Sequence, residues 1–391
     1  MYDFDTPVNR EGTKAYKLEL REKYFGSNEV LPLWVADMDF SAPPAVCEAI
    51  QARAAHNIYG YTIRTKEFNE AIKNWLMRRH NWSVENSWIE YSPGVVPALT
   101  FSIMSFTMPG DGVIIQTPVY PPFYSVVKDN DRKVVKNPLV QENGSYRMNF
   151  EELEILTAKP ENKVLILCNP HNPLGRVWTK DELETLGDIC HRNNVLVLSD
   201  EIHSDLMLFG NKHTPFASVN EQMANNSITF MAPSKTFNIA GFNTSYVVAS
   251  NSRLLNGYRQ VLNKLHLNMG HVFSEVILET AYNEGEDWLG ELISYLEANA
   301  RFVVDFINEN MPEVKVKLPH ATFLTWLDFR SWGWSQKDLV AFLVNKAGVG
   351  LNDGVSFGVE GEGFMRMNIA SPRSVIKKAL EQIFNARKEL N

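Results

Sequence analysis

Val164-Leu165-Ile166-Leu167-Cys168 and Val195-Leu196-Val197-Leu198-Ser199 are two short apolar runs, and the chain between them decides the fold. That chain carries Thr179 with Glu182 three residues on, the spacing of a capping box that starts a helix. Leu183, Leu186, Ile189 and Cys190 then recur at the helical period and give a helix over about residues 180–193 one apolar face. Strand, helix and strand in this order form a crossover, which joins parallel neighbours. A parallel sheet is covered on both faces, which suits strands that are apolar throughout.

Two further runs extend the pattern. Val113-Ile114-Ile115 leads into Pro118-Val119-Tyr120, and Ile228-Thr229-Phe230-Met231 leads into Ser234-Lys235-Thr236-Phe237-Asn238. The first pair of runs ends likewise in Asn169-Pro170-His171-Asn172-Pro173 and in Asp200-Glu201-Ile202-His203. As parallel neighbours, the four runs crowd Tyr120, Asn172, Asp200 and Lys235 at one sheet edge, where open α/β folds bind ligands. Beyond about residue 285 the pattern changes to a long helix, the run Val314–Lys317, the strand-like Thr322–Leu327, a helix over 335–347, the strand Phe364–Ile369 and a last helix. This predicts a smaller α+β unit of residues 286–391, joined by residues 1–45, beside a large α/β unit of residues 46–285, with the cleft between them.

A chain of 391 residues, 45% hydrophobic and 11% aromatic, can bury the core of two such units. Its net charge of -8, and the lack of any run of five or six basic residues, argue against nucleic acid as a partner. The first residues are polar and charged, and no apolar stretch is long enough to cross a bilayer, so the expected location is cytoplasmic. Cys47, Cys168 and Cys190 are scattered without metal-ligand or disulfide spacing and are expected as reduced core residues, with no metal site. Gly348-Val349-Gly350 has Asp353 where a dinucleotide fingerprint needs its third glycine, and no Walker loop, H-E-x-x-H or G-x-S-x-G occurs.

An aromatic face, an amide, a carboxylate and a primary amine at one edge are what a pyridine aldehyde cofactor requires. The expectation is pyridoxal phosphate joined to Lys235 as a Schiff base. A lone lysine is ordinarily solvated and inert, but one desolvated at a strand end loses proton affinity, as a reactive amine must. Asp200 either caps the helix after it or keeps the pyridine nitrogen protonated, and the second reading is preferred. Glu201 should point the other way. Asn172 lies in a proline-rich turn and its amide can donate to the phenolic oxygen; His203 either adds a second hydrogen bond there or merely packs. Tyr120 is either core or an exposed ring stacking on the heterocycle. For the phosphate, Ser92-Pro93-Gly94-Val95-Val96-Pro97 precedes a helical pattern over 98–107, so the Val95 and Val96 amides with the Ser234 hydroxyl make the expected cradle. In Phe364–Ile369, alternation sets Arg366 and Asn368 opposite Met365, Met367 and Ile369, so Arg366 is either a surface ion pair or the clamp for a substrate carboxylate.

With these residues in hand, the chain resembles the fold-type I, aspartate aminotransferase-like pyridoxal phosphate enzymes (class I/II) over nearly its full length. Within them it is most similar to the MalY/PatB-type cystathionine β-lyase/C-S lyase family. The resemblance rests on Leu33–Phe40 (LWVADMDF), Tyr59–Thr62, Asn169–Trp178 (NPHNPLGRVW), Ser199–Asp205 (SDEIHSD), His213–Ser218 and Ala232–Gly241 (APSKTFNIAG). It implies a mostly parallel seven-stranded sheet flanked by helices plus the smaller α+β unit, and a homodimer in which Tyr61 reaches the partner's phosphate. It also implies Arg366 as carboxylate anchor, Lys235 as general base, and α,β-elimination of L-cystathionine, L-cysteine or a related S-conjugate to pyruvate, ammonia and a thiol. Many aminotransferases of this kind carry a phosphate-binding arginine eight residues after the lysine; here that position is Asn243, which disfavours transamination without excluding it. A cofactor-sensing regulator is a third reading, weakened by the expected lack of a basic DNA-binding extension.

Overall fold

Seven strands make the central sheet of the computed structural model, which describes residues 2–142 and 144–390. In chain order they are β1 (Ile89–Ser92), β2 (Gly112–Ile115), β3 (Lys133–Lys136), β4 (Asn162–Cys168), β5 (Leu196–Asp200), β6 (Ser227–Met231) and β7 (Ser245–Val248). Their spatial order is β1-β7-β6-β5-β4-β2-β3. Only β7 runs against its neighbours; β6-β5-β4-β2-β3 are parallel throughout. The mostly parallel sheet follows from the crossover: the helix Lys180–Arg192 returns the chain from β4 to β5, and its capping box forms in both directions between Thr179 and Glu182.

Side chains alternate across these strands into two buried layers. Leu165, Leu167 and Val197 pack on Leu183, Leu186, Ile189 and Cys190 of the crossover helix. Val164, Ile166, Leu198, Ile228 and Phe230 face Ala98, Leu99 and Ile103 of the helix Val95–Phe106, with Leu255 and Tyr258 beyond. Burial on both sides is why these strands carry apolar residues in runs rather than in alternation. From β2 the chain goes outward to β3, then crosses back to place β4 on the other side of β2. That reversal opens a crevice at the carboxyl ends of β2 and β4, next to Tyr120 and Asn172.

A second sheet is antiparallel and consists of β8 (Leu324–Asp328), β9 (Asn352–Asp353) and β10 (Phe364–Asn368) in the order β8-β10-β9. The long helix Glu286–Asn310 and the last helix Arg373–Lys388 pack against it through Leu296, Val303, Ile376, Leu380 and Ile383. The amino-terminal segment runs alongside, Leu31–Pro32 pairing in parallel with Val349–Gly350.

The run Val314–Lys317 makes one bridge, Lys315 to Asp328, and Pro319, which has no N–H, carries it away toward Gly175. Gly175 is left-handed (φ +62°), an added Cβ there would lie 2.6 Å from Pro319 Cβ, and its carbonyl accepts from His320 (2.8 Å) and Ala321 (3.1 Å). The helix placed over 98–107 starts earlier, at Val95, because Gly94 is already the residue that caps it. Cys168 and Cys190 are buried but Cys47 is only half-buried, on the helix Pro44–Ala55 whose one buried residue is Val46. Among the described residues, no helix is long and apolar enough to cross a membrane, and no cluster of metal-ligating side chains occurs.

Candidate active site

Strand β6 ends at Met231, Ala232 is extended, and Pro233 begins the four-residue turn of helix Pro233–Thr236 that holds Lys235. Proline suits that first position because its missing N–H has no helical partner there. The turn carries Lys235 against the Trp34–Phe40 segment, where Nζ donates to the Ala36 carbonyl at 2.6 Å. Burial lowers the amine's proton affinity to about 8; Asp37 and Asp200 pull it back up, while Arg366 and Lys17 push it further down. An amine so placed is half-deprotonated near pH 8, where an exposed lysine is almost wholly charged.

Asp200 closes β5 and is 4% exposed. Its Oδ1 accepts from the Ile202 amide (3.1 Å), yet burial, aided by Glu201, raises its carboxyl to about 7. The Lys235 ammonium works only weakly against that rise. Asp200 thus lacks a close cation, and a protonated ring nitrogen is the kind of group that supplies one. Glu201 does point the other way, taking hydrogen bonds from Ser199 Oγ (2.7 Å), the Phe216 amide (2.9 Å) and His213 (2.7 Å).

Arg366 is on the face of β10 opposite Met365 and Met367, but it is no surface residue: it is 4% exposed. It donates to Asn172 Oδ1 (3.0 Å), to the Trp34 carbonyl (2.8 Å) and to Asn352 Oδ1, and lies 4.9 Å over the Phe357 ring. Its Nε is buried without a partner, and no carboxylate pairs with it among the described residues. Burial lowers its affinity for the proton to about 10. A buried guanidinium without a counter-ion is a receptor for an anion. Asn172 is oriented by that arginine, and nothing among the described residues accepts from its Nδ2. His203 is buried, its Nδ1 also unpartnered and its ring edge-on to Phe323. Desolvation, with Lys235 and Arg366 nearby, lowers it to about 3, so it is neutral. Tyr120 is half-buried rather than exposed, edge-on to Phe123 at 6.0 Å. Burial and Asp200 raise its phenol, against Arg366.

The Val95 and Val96 amides open the helix that starts at β1's end; the first intrahelical bond there is Ala98 N–H to the Gly94 carbonyl, so both N–H groups are left for an anion. Ser234 is half-buried one residue before Lys235. Tyr61, in contrast, is 97% exposed and contributes nothing to this chain's own cleft. Asn243 is exposed, in the left-handed conformation (φ +47°) that asparagine tolerates. Together the edge offers a desolvated amine, an acid seeking a cation, a neutral imidazole, a free amide, a half-buried aromatic ring and a helix N-terminus. That donor set fits a flat pyridine aldehyde phosphate.

Backbone groups of residues 34–40, which the sequence did not single out as site groups, hold these side chains together. Besides the Trp34 and Ala36 carbonyls, those of Val35 and Asp37 accept from Asn368 Nδ2, and Asn238 bonds the Met38 amide and the Met38 and Phe40 carbonyls. The alternation that singled out Arg366 also singles out Asn368; the carbonyls give no signal in a sequence.

The chain matches the family model for aminotransferase class I and II over residues 28–383. It is 42% identical to cystathionine β-lyase PatB of Bacillus subtilis, covering 97% of this chain and 98% of that one. Among solved structures, a PLP-bound protein of Clostridium difficile 630, provisionally described as an aminotransferase, superimposes with a TM-score of 0.97 at 47% identity, over 99% of this chain and 100% of that one. The PLP-bound C-S lyase of Staphylococcus hominis gives a TM-score of 0.93 at 35% identity, over 99% and 98% of the two chains. The chain belongs to the aminotransferase class I and II family of PLP fold-type I proteins, on its MalY/PatB-type cystathionine β-lyase/C-S lyase branch.

Proposed function

We propose that this protein is a pyridoxal phosphate-dependent carbon–sulfur β-lyase acting on L-cystathionine, L-cysteine or a related S-conjugate. Pyridoxal phosphate is its cofactor. The observation that carries the reading is the Lys235 amine, desolvated and flanked by Asp200 on one side and Arg366 on the other. Asp200 would hold the ring nitrogen, Asn172 and His203 the phenolic oxygen, Tyr120 the ring face, and the Val95 and Val96 amides with Ser234 the phosphate. When bound, the cofactor accepts the electron pair left at Cα. Arg366, turned by Asn172, Asn352 and the Trp34 carbonyl, grips the substrate carboxylate in two-point fashion and so fixes which Cα bond faces Lys235. Lys235 takes the Cα proton as general base, and its lowered proton affinity matches that task near neutral pH. The thiolate leaves Cβ with the C–S bonding electrons, and hydrolysis of what remains gives pyruvate and ammonia. Similarity to PatB and to the staphylococcal C-S lyase supports elimination over transfer.

Completion of the site by a second copy is part of the same proposal. Ile58, Tyr61 and Ile63 are 71, 97 and 74% exposed, and Leu265, Leu267 and Met269 are exposed on a segment that Arg64 ties to theirs through the Asn268 carbonyl (2.5 Å). Such a cluster suits burial in a homodimer, with Tyr61 reaching the partner's phosphate. Mixing purified protein with cystathionine or cysteine should release pyruvate without added keto acid, and K235A should lose both turnover and the lysine-bound cofactor's visible absorption. The aminotransferase reading is favoured by the clostridial relative's description; stoichiometric conversion of the cofactor to its amine form, with no free pyruvate, would establish it instead.

A further inference from the structure

Beneath the turn that carries Lys235 lies a buried acid that the reaction does not use. Thr236, fully buried and adjacent to Lys235, donates its hydroxyl to Asp205 Oδ2 at 2.8 Å. The other oxygen of Asp205 is taken by Trp75 Nε1 and His80 Nε2, both at 3.0 Å. Trp75 is in turn stacked on Tyr282 at 4.8 Å, so this end of the network is anchored in the core rather than in a loop. Asp205 also belongs to the turn that begins at Asp200, closed by Ser204 N–H to the Glu201 carbonyl and Leu206 N–H to the His203 carbonyl, each at 3.0 Å. One six-residue turn therefore starts with the carboxylate that faces the cofactor and ends with the one that fastens the lysine's helix.

Asp205 does not act on the amine by its charge. The charged groups that face Lys235 are Asp37 and Lys17 from the amino-terminal segment, Asp200 from β5 and Arg366 from β10. Its carboxylate is occupied by three donors, and the neighbouring acid Glu201 is likewise occupied by His213, whose ring meets that of His80 at 5.2 Å. What remains is a mechanical link of known length. The turn is closed by few backbone bonds of its own, Phe237 N–H to the Pro233 carbonyl and Ile239 N–H to the Ser234 carbonyl, each at 3.0 Å, so an outside tether helps decide where its side chains point.

We propose that Asp205 is a positioning residue that sets, through Thr236, the place and direction in which Lys235 presents its amine to the substrate Cα. This rests on the reading of Lys235 as the catalytic amine. Releasing the tether lets the amine relax toward water and regain basicity, and a displacement on the order of 1 Å at a reacting group costs rate rather than binding.

The test compares holoenzyme variants by kcat, KM and the pH midpoint of the visible band of the lysine-bound cofactor. T236V should lower kcat about tenfold or more with KM within about twofold, and raise the midpoint by roughly half a pH unit or more. T236S, which restores the hydroxyl, should return both to near the parent values. T236A, which also lacks the hydroxyl, should move both readouts in the same direction and serves if T236V does not fold. T157V removes a comparable buried hydroxyl, donating to the Leu153 carbonyl at 2.9 Å on a remote helix; it should lower Tm while leaving the midpoint in place. Parent-like kcat and midpoint in T236V or T236A, with K235A still abolishing band and turnover, would overturn the positioning role. Turnover surviving in K235A would instead defeat the reading beneath it.

Discussion

Two groups of charged side chains face each other across the Trp34–Phe40 segment, and they are built on opposite plans. On its outer side Lys17, fully buried, touches Asp37 at 2.8 Å and Asp39 at 3.0 Å, and Arg10 bonds both carboxylates at 2.6 and 2.7 Å. Two cations meet two anions and each charge has its counterpart. On the inner side Asp200 and Arg366 are buried and Lys235 largely so, but Lys235 finds only a carbonyl, Asp200 one amide, and Arg366 one backbone carbonyl and two side-chain amide oxygens. The outer set is arranged for stability and the inner set for ligands: burial without a matched partner shifts proton affinities toward neutrality, as a reactive site needs, and a matched pair does the reverse.

Removing one member of the outer set should produce the largest loss of stability. In K17M two carboxylates stay in a site built for a cation, so unfolding free energy should drop by about 3–5 kcal/mol, measured by denaturant titration. A loss below about 1 kcal/mol would mean that Arg10 alone balances the cluster and that the contrast is one of degree. The pH dependence has a definite sign. Burial works to raise Asp37, but Arg10 and Lys17 more than offset it and hold the carboxyl below its ordinary value of 3.8, so the stabilisation is present above that value and lost in more acid solution.

Asp200 predicts the opposite sign. Its folded-state value is raised from 3.8 to about 7, so its burial costs nothing below pH 4 and its full amount above pH 7. D200N should therefore stabilise the cofactor-free protein at pH 8, by roughly 1–4 kcal/mol given about 1.4 kcal/mol per unit and the loss of a favourable neighbour for Lys235. The gain should vanish near pH 4. The same variant should lose about a hundredfold or more in turnover with cofactor supplied. A destabilised D200N at pH 8 would show that the acid is already paired, and the inner set would cease to differ from the outer one.

How much of this contrast was legible in the sequence depends on which groups speak through periodicity. Lys235, Asp200 and Asn172 are adjacent to apolar runs that must be strands, so their common edge follows from the order of elements. The crossover helix was legible down to its capping box, because Thr179 and Glu182 are local partners. Partners distant in the chain were not: Lys235 and Ala36 are 199 positions apart, Trp75 and Asp205 130. Tyr120's half-burial and the burial of Arg366 were missed for the same reason, since alternation names a face but not what covers it. Lys17 reads as one more surface lysine until the fold brings Asp37 and Asp39 around it.

Arg366 offers a test within the inner set that leaves the fold intact. R366K retains the charge but cannot span Asn172 and the Trp34 carbonyl at once while presenting a fork to a carboxylate. KM for the amino acid should rise about tenfold or more, with a smaller change in kcat. An unaltered KM would remove Arg366 from substrate recognition and leave it a packing group over Phe357.

The smallest effect belongs to charges that neither plan governs. Lys377 and Glu381 are one helical turn apart on Arg373–Lys388, 3.8 Å between charged atoms, with side chains 58 and 48% exposed. Water screens the pair, and two long side chains must be ordered to form it, so K377A should alter unfolding free energy by less than about 0.5 kcal/mol. The same kinds of ion, 3.8 Å apart here against 2.6 to 3.0 Å in the outer cluster, then differ several-fold in effect chiefly because only the outer set is held out of water. If K377A cost as much as K17M, proximity rather than desolvation would separate the molecule's charges, and the physical basis for reading Lys235, Asp200 and Arg366 as a ligand site would be lost.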